Sequence, residues 1–202
     1  MNETSTFEYG PNEHQFVRIY HPSPTTVSGT RDFIVFAIIH GGYFKAKYGI
    51  DNSGVSSLIP MLLERGYSVA MIEYRRVGHP GGGWPGSNMD IVRALNKVYE
   101  VVAISQKNHP KIVVVGHSAG GTLALWSCAN RVSPHHLQQQ RQDLVADETT
   151  TTLRFPVALC IAVAPIGDLE AGYHRRLSDE GSSSRSTPFF DSTNVYTLLH
   201  LR

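Results

Sequence analysis

The 202-residue sequence contains little that would place the protein in a membrane or on a nucleic acid. No apolar run approaches the ~20 residues that span a bilayer, and residues 1–6 lack the basic and apolar regions of a signal peptide. Basic side chains (18) nearly balance acidic ones (17), so there is no electrostatic basis for binding nucleic acid or an anionic membrane. These absences predict a cytoplasmic protein.

Cysteine is also rare, because the chain contains only Cys128 and Cys160. One falls in a predicted helix and the other in a predicted strand, and both are expected in the core. Two buried cysteines favour thiols in a reducing compartment over a disulfide. The hydrophobic fraction of 41% is in the globular range, and the length is sufficient for one domain with a real core.

The pattern G-H-S-A-G at residues 116–120 lies between a strand-like and a helix-like segment. Residues 111–115 are mostly β-branched and apolar, while residues 121–128 suit a helix. Strand, sharp turn and helix form the context that a G-x-S-x-G nucleophile elbow requires, in which a strained backbone projects the serine Oγ from the sheet. We therefore predict that Ser118 is a nucleophile rather than part of an ordinary strand–helix turn.

A glycine-rich segment follows an earlier strand. Residues 33–39 are a continuous apolar run, typical of a strand buried on both faces, and H-G-G-Y-F follows directly at residues 40–44. Backbone N–H groups of such a loop can stabilise the oxyanion of a tetrahedral intermediate. His40 is expected to fix the loop by hydrogen bonding rather than to transfer a proton. The predicted oxyanion donors are the N–H groups of Gly41, Gly42, Tyr43 and Ala119.

These motifs, together with E-Y-R-R-V-G at residues 73–78 and G-G-G-W-P-G at residues 81–86, resemble the α/β-hydrolase superfamily. The resemblance covers residues 15–170 and is greatest to a branch of kynurenine formamidase-like and acyl-esterase-like serine hydrolases. It implies an α/β-hydrolase fold and a Ser–His–Asp hydrolase with no metal or organic cofactor. The implied partner is a small-molecule carboxylic ester or N-acyl (formyl) amide.

The segments between the motifs alternate between strand and helix patterns. Such alternation predicts an α/β fold with a mostly parallel sheet and helices on both faces. In residues 87–90, S-N-M-D resembles a capping box at the start of a helix. The further strands are predicted at residues 16–20, 67–74 and 157–164, and a helix at residues 56–65.

The chain departs from the superfamily pattern after the sixth predicted strand, residues 157–164. In the superfamily the acid usually follows the seventh strand and the histidine the eighth, in the order Ser, Asp/Glu, His. Residues 165–202 are fewer than the roughly 50–60 that two further strand–helix units need. We therefore expect a truncated fold that lacks the last two units, and hydrolysis that is weak or absent.

The sequence contains few candidates for the missing catalytic acid and base. Asp168 directly follows the sixth strand, where some lipases of the superfamily carry their acid, but it equally suits the N-cap of a following helix, which we prefer. Asp191 and His200 keep the triad order without a strand–helix unit between them, and His200 is retained as the candidate base. His174 and residues 135–136 lie in polar segments and are expected to be solvated.

The domain prediction is a single α/β-hydrolase domain over residues 1–202, with a flexible insertion at 131–155 and an atypical polar tail at 171–202. Two other patterns are set aside. Residues 81–86 match G-x-G-x-x-G but lie beyond their strand and contain a proline. Adjacent histidines at 135–136 lack the spacing and acids of a metal site. A non-catalytic binding or regulatory module and a truncated gene product remain alternatives to a working hydrolase.

The sixth predicted strand begins at Val157 and ends at Ala164. Without a seventh strand beside it, this apolar segment would expose unpaired N–H and C=O groups, and no charge interrupts it. We expect a marginally stable chain that self-associates through this edge.

Overall fold

The computed structural model describes residues 4–24, 33–106, 109–129 and 152–167. Within these residues, six strands and three α-helices alternate along most of the chain. The strands are β1 (Thr4–Glu8), β2 (Phe16–Tyr20), β3 (Ile34–Ile39), β4 (Ser68–Ile72), β5 (Lys111–His117) and β6 (Val157–Val163). The helices are α1 (Leu58–Glu64), preceded by a 3₁₀ turn at Val55–Ser57, α2 (Gly86–Gln106) and α3 (Ala119–Ala129). None of the described helices has the length and apolarity to cross a membrane.

The six strands form one sheet in the order β1-β2-β4-β3-β5-β6. The first two pairings are antiparallel, and the pairings among β4, β3, β5 and β6 are parallel. From β3 the chain passes to β4 on one side, whereas from β5 it passes to β6 on the other. The loops that leave β3 and β5 therefore diverge at the carboxyl ends of two adjacent strands. In open α/β sheets such a switch point is where ligands bind.

Apolar side chains cover both faces of the sheet, as predicted. One core cluster joins alternate residues of β2, β3 and β5 to the buried faces of α2 and α3. A second cluster joins Ile38, Val69 and Met71 to α1. Cys128 is buried in α3 and Cys160 is half-buried in β6, and both are thiols. The predicted mostly parallel sheet with helices on both faces is confirmed.

The predicted capping box at residues 87–90 is wrong. The Ser87 hydroxyl donates a hydrogen bond to the carbonyl oxygen of Arg75. The buried Asp90 carboxylate accepts hydrogen bonds from the Arg75 guanidinium and from the side-chain amide of Gln15, both at 2.7 Å. The side chains that a capping box would use are thus hydrogen-bonded to residues outside the helix. These hydrogen bonds attach the loop before α2 and the β1–β2 turn to this helix.

Two parts of the fold were not predicted. β1 pairs with β2 at the edge of the sheet. Residues 152–155, at the end of the predicted insertion, pack on α2: Asn96 hydrogen-bonds the backbone of Thr152 and Arg154 at 3.0 and 2.9 Å, and the ring of Phe155 stacks on Tyr99. The rest of that insertion and the predicted tail at 171–202 lie outside the described residues.

Candidate active site

Ser118 stands in the turn between β5 and α3 with φ +53°, in the left-handed region that side chains other than glycine rarely adopt. Its N–H donates to the carbonyl oxygen of Val163 on β6 at 2.9 Å, and its carbonyl oxygen accepts the N–H groups of Gly121 and Thr122 at 2.8 and 3.2 Å. The strand–turn–helix geometry predicted for Ser118 is therefore present, and hydrogen bonds to β6 and α3 hold it.

Glycines make the turn sterically feasible. A Cβ at Gly116 would lie 2.2 Å from the carbonyl oxygen of Gly120. A Cβ at Gly120 would lie 2.2 Å from the carbonyl oxygen of Ile39 at the end of β3. Both separations are far inside van der Waals contact, so any side chain at either position would push α3 away from β5 and β3.

The glycine loop at residues 40–44 meets this turn directly. A Cβ at Gly41 would lie 2.7 Å from the carbonyl oxygen of His117 and 3.1 Å from Cβ of Ser118. The loop and the nucleophile turn, which are far apart in the sequence, thus lie against each other at the carboxyl ends of β3 and β5. This contact is what an oxyanion loop opposite an elbow requires.

Backbone hydrogen bonds close the loop on its outer side. The N–H of Lys45 donates to the carbonyl oxygen of Gly42 at 2.9 Å. The N–H of Val77 donates to the carbonyl oxygen of Phe44 at 2.9 Å, and the N–H of Ala46 donates to the carbonyl oxygen of Val77 at 3.1 Å. The segment after β4 therefore holds the segment after β3, and Phe44 anchors the loop in the core.

His40 is fully buried beneath the loop. Its Nδ1 lies 2.8 Å from the carbonyl oxygen of Gly41, and its Nε2 lies 3.0 Å from Nη1 of Arg76. A carbonyl oxygen only accepts and an arginine only donates, so these contacts assign the His40 proton to Nδ1. The hydroxyl of Tyr74 donates to the carbonyl oxygen of His40 at 2.9 Å. The prediction that His40 fixes the loop by hydrogen bonding is confirmed.

Glu73 and Arg76 form a buried ion pair next to His40. Glu73 also accepts the N–H of Ile50 at 2.9 Å. Burial by itself would raise the pKa of Glu73, but the positive charge of Arg76 and the hydrogen bond from the Ile50 N–H outweigh it and lower the pKa. Glu73 is therefore ionised throughout the neutral range. Sequence reasoning missed this pair, although two charged residue types directly after a buried strand were a usable signal.

The remaining predicted site residues divide into two groups. Ala119 is the first residue of α3, where the helix supplies no acceptor for its N–H, and the Tyr43 side chain is exposed. The candidate acid Asp168 and the candidate base His200 lie outside the described residues, as do Asp191, His174 and residues 135–136. In the part of the chain that is described, no cluster of three His, Cys, Asp or Glu side chains is arranged to hold a metal ion.

Comparison with known families identifies the group to which this fold and turn belong. The BD-FAE family model matches residues 18–195. The chain belongs to the BD-FAE family. No curated protein matches it.

Several solved structures share the fold. Esterase B from Lactobacillus rhamnosis, in a structure inhibited by a tributyrin phosphonate, is 19% identical with a TM-score of 0.64 over 88% of this chain and 53% of that one. Brefeldin A esterase, a bacterial homologue of human hormone-sensitive lipase, is 22% identical with a TM-score of 0.57 over 98% and 50%. The α/β hydrolase MGS-M1 from a deep-sea metagenome library is 20% identical with a TM-score of 0.50 over 64% and 52%.

This chain thus spans about half the length of each of these three enzymes. At such identities the likeness shows the fold alone, and it confirms the predicted α/β-hydrolase fold.

Proposed function

We propose that this BD-FAE family member is a serine hydrolase that cleaves small carboxylic esters through an acyl-enzyme on Ser118. The observation that carries the proposal is the contact between the Ser118 turn and Gly41, at the switch point between β3 and β5. A strained serine facing a loop of backbone N–H groups suits acyl transfer. The serine can attack the carbonyl carbon of a substrate while the N–H groups bind its carbonyl oxygen.

In this mechanism the Ser118 Oγ attacks the ester carbonyl carbon, and the oxyanion accepts hydrogen bonds from the N–H groups of Ala119 and of the loop at Gly41, Gly42 and Tyr43. The intermediate then expels the alcohol, and water hydrolyses the acyl-enzyme. The proposed base that takes the Ser118 proton is His200, and the proposed acid is Asp168.

The start of the segment that carries Asp168 is attached to the site. The Ile166 N–H donates to Oγ1 of Thr122 at 3.0 Å, and the Thr122 hydroxyl donates back to the carbonyl oxygen of Ile166 at 3.1 Å. Thr122 is the fourth residue of α3, which begins directly after Ser118. This anchor supports Asp168 as the acid.

N-formyl amides are the second proposed substrate class, because the motifs resemble the kynurenine formamidase-like branch. A non-catalytic binding module is not favoured, since binding alone would not require a strained serine opposite a glycine loop. The thiols of Cys128 and Cys160 support a cytoplasmic location.

The test is to measure hydrolysis of p-nitrophenyl acetate and of an N-formyl anilide, together with labelling by an alkyl phosphonate read out by peptide mass spectrometry. We expect the label on Ser118 and loss of turnover in Ser118→Ala. The matched control is Ser57→Ala, because among the described residues that exposed hydroxyl bonds only the carbonyl oxygen of Gly54. Turnover that survives Ser118→Ala, or a label on another residue, would refute the proposal.

The same assay decides the base and the acid. If His200 is the base, His200→Ala lowers kcat by a factor of the order of 10³–10⁶, and Asp168→Asn lowers it by about 10⁴. A Ser118-dependent kcat that neither substitution changes would assign the two roles to other residues. A kcat well below about 1 s⁻¹ is the expected result if the usual acid and base are absent.

A further inference from the structure

The glycine loop has positive φ at three consecutive residues, and two of these carry side chains. Gly42, Tyr43 and Phe44 have φ of +114°, +54° and +57°. For side chains other than glycine, such backbone costs on the order of 1–3 kcal/mol per residue and persists only where the surroundings impose it. Tyr43 is 48% exposed, so its own packing offsets little of that cost. The contacts on the inner side of the loop act together with the outer hydrogen bonds and the packing of Phe44.

The inner contacts form a chain of four residues. Glu73 binds the guanidinium of Arg76, Arg76 donates to Nε2 of His40, and His40 donates from Nδ1 to the carbonyl oxygen of Gly41. The side chains of Glu73, Arg76 and His40 are each at most 6% exposed. The Arg76 guanidinium also lies over the ring of Tyr74, 5.5 Å from its centre. Every link is thus shielded from water.

We propose that the buried Glu73–Arg76 pair, acting through His40, orients the Gly41–Gly42 peptide so that the Gly42 N–H serves as an oxyanion donor. This inference rests on the proposed function. A trans peptide is planar, so its C=O and N–H point in opposite directions. His40 holds the Gly41 carbonyl, and the Gly42 N–H is therefore directed away from His40. Because Gly41 lies so close to the nucleophile turn that an added Cβ would be 3.1 Å from Cβ of Ser118, rotation of this one peptide would remove a donor from beside the nucleophile.

The chemistry of the pair suits orientation better than stability. Buried ion pairs often contribute no more to stability than apolar side chains of the same volume. Within the described residues the Nε of Arg76 has no hydrogen-bond partner, which lowers the net gain further. The pair fixes the orientation of the Arg76 guanidinium, because a guanidinium held by a fixed carboxylate presents its remaining N–H groups at fixed angles. Glu73, Arg76 and His40 are therefore positioning residues.

The first arm of the test needs no catalysis. It compares the full chain with Glu73→Gln by NMR, using the carbonyl-carbon shift of Gly41, the amide resonance of Gly42, and hydrogen exchange of the Lys45 and Val77 amides that close the loop. We expect both resonances to move and both amides to exchange at least about tenfold faster. Unchanged resonances and exchange in the folded variant would overturn the inference.

The matched control is Asp90→Asn. Asp90 is also a buried carboxylate paired with an arginine, Arg75, but it does not contact His40. A general loss of stability would affect the loop equally in both variants. We expect a comparable fall in melting temperature in both, with the Gly41 and Gly42 signals moving only in Glu73→Gln. Equal movement in Asp90→Asn would show that Glu73 is merely structural.

The second arm measures turnover. With Glu73→Gln we expect kcat to fall about tenfold to a hundredfold with little change in KM, because a misplaced oxyanion donor weakens only the transition state. Asp90→Asn is expected to leave kcat within about twofold. If the unmodified chain shows no Ser118-dependent turnover, the proposed function fails, and the NMR arm still decides whether Glu73 orients the peptide.

A second pair of variants applies if Glu73→Gln does not fold. In His40→Asn the side-chain amide can occupy the place of Nδ1 and keep the hydrogen bond to Gly41, whereas His40→Ala cannot. His40→Asn keeps the hydrogen bond to Gly41 but lacks the acceptor for Arg76, so we expect it to recover only part of the loop protection and kcat that His40→Ala loses. Full recovery would show that the link to Arg76 is not needed. Equal behaviour of the two variants would contradict the proposed route through His40.

Discussion

At the scale of single residues, the site depends on positions where two backbone segments pass so closely that only glycine fits. Gly41 is the most informative, because it separates the oxyanion loop from the nucleophile turn. A Cβ there would meet the carbonyl oxygen of His117 at 2.7 Å, and neither β3 nor β5 can retreat without losing ladder hydrogen bonds. The loop can therefore lie this close to Ser118 only because Gly41 has no Cβ.

Gly41→Ala should separate the loop from the elbow. Removal of one oxyanion donor costs about 10²–10³ in kcat, and we expect a loss of this size with a smaller effect on KM. Ser57→Ala is again the control, because the exposed Ser57 hydroxyl lies in the turn before α1 and not in the oxyanion loop or the elbow. Ester hydrolysis and thermal melting of both variants are the measurements. A Gly41→Ala protein with the unmodified kcat would refute the role of this contact.

Glu73 predicts how the protein responds to acid. Its pKa in the folded protein is about 2, below the ordinary value of 4.5. Its contribution to the free energy of unfolding is therefore complete above about pH 4.5 and is lost as the pH falls towards 2. Urea unfolding at stepped pH should show a weaker acid dependence in Glu73→Gln, and an unchanged dependence would contradict the assignment.

His79 affects the free energy of unfolding in a different pH range. Burial, with the charges of Arg76 and His14, lowers its pKa to about 4. The unfolded chain then takes up a proton near pH 6.5 before the folded protein does, so stability also falls as the pH drops from about 6.5 to 4. The free energy of unfolding that is lost in acid through Glu73 can thus be distinguished from the part lost through His79, because the two pH ranges differ.

Among the elements, the first turn of α3 connects the nucleophile to the segment after β6. Thr122 makes this connection with a reciprocal pair of hydrogen bonds to Ile166. A substitution that keeps the volume of the side chain and removes its hydroxyl isolates the effect of that pair.

We expect Thr122→Val to lower the free energy of unfolding by about 1–3 kcal/mol, because two hydrogen bonds are lost and the Ile166 backbone is left without its partner. If Asp168 is the acid, kcat falls as well. Thr122→Ser retains the hydroxyl and should behave almost like the unmodified chain. Urea unfolding and ester hydrolysis decide the matter, and equal stability of the two variants would contradict the anchor.

For the whole molecule, β6 is the feature with the largest consequence. Within the described residues it pairs with β5 alone. Leu159, Ile161 and Val163 are 53%, 36% and 49% exposed, and their pairing with alternate residues of β5 places them on the face that carries α1. An apolar strand with unpaired backbone groups is a template for a second identical strand. We therefore propose that two copies of the chain associate through β6.

Size-exclusion chromatography with light scattering, over a range of protein concentrations, should show a dimer or larger species that Ile161→Lys disrupts. Ile104→Lys is the control, because Ile104 is 73% exposed on α2, which packs on the opposite face of the sheet from Ile161. A monomer that is independent of concentration and melts cooperatively above ~60 °C, beyond the middle of the usual mesophile range, would refute both the association and the expected marginal stability.

The sequence by itself determined the features that have a local signature. Apolar runs of strand length marked β3, β5 and β6, and the glycines around Ser118 required a tight turn, because the steric limits of a chain segment act within a few residues. The same local rules placed the glycine loop after β3. No pairing between distant residues was needed for any of these predictions.

Only the tertiary structure decided which side chains meet across the fold. Arg76 reaches His40 across 36 positions in the sequence and Gln15 reaches Asp90 across 75, and such partners leave no local pattern. For that reason the polar residues at 87–90 matched a capping box that did not form, and the role of Glu73 was not predicted. Sequence periodicity records which face of an element is buried, but the partner of a buried charge depends on where the chain crosses itself.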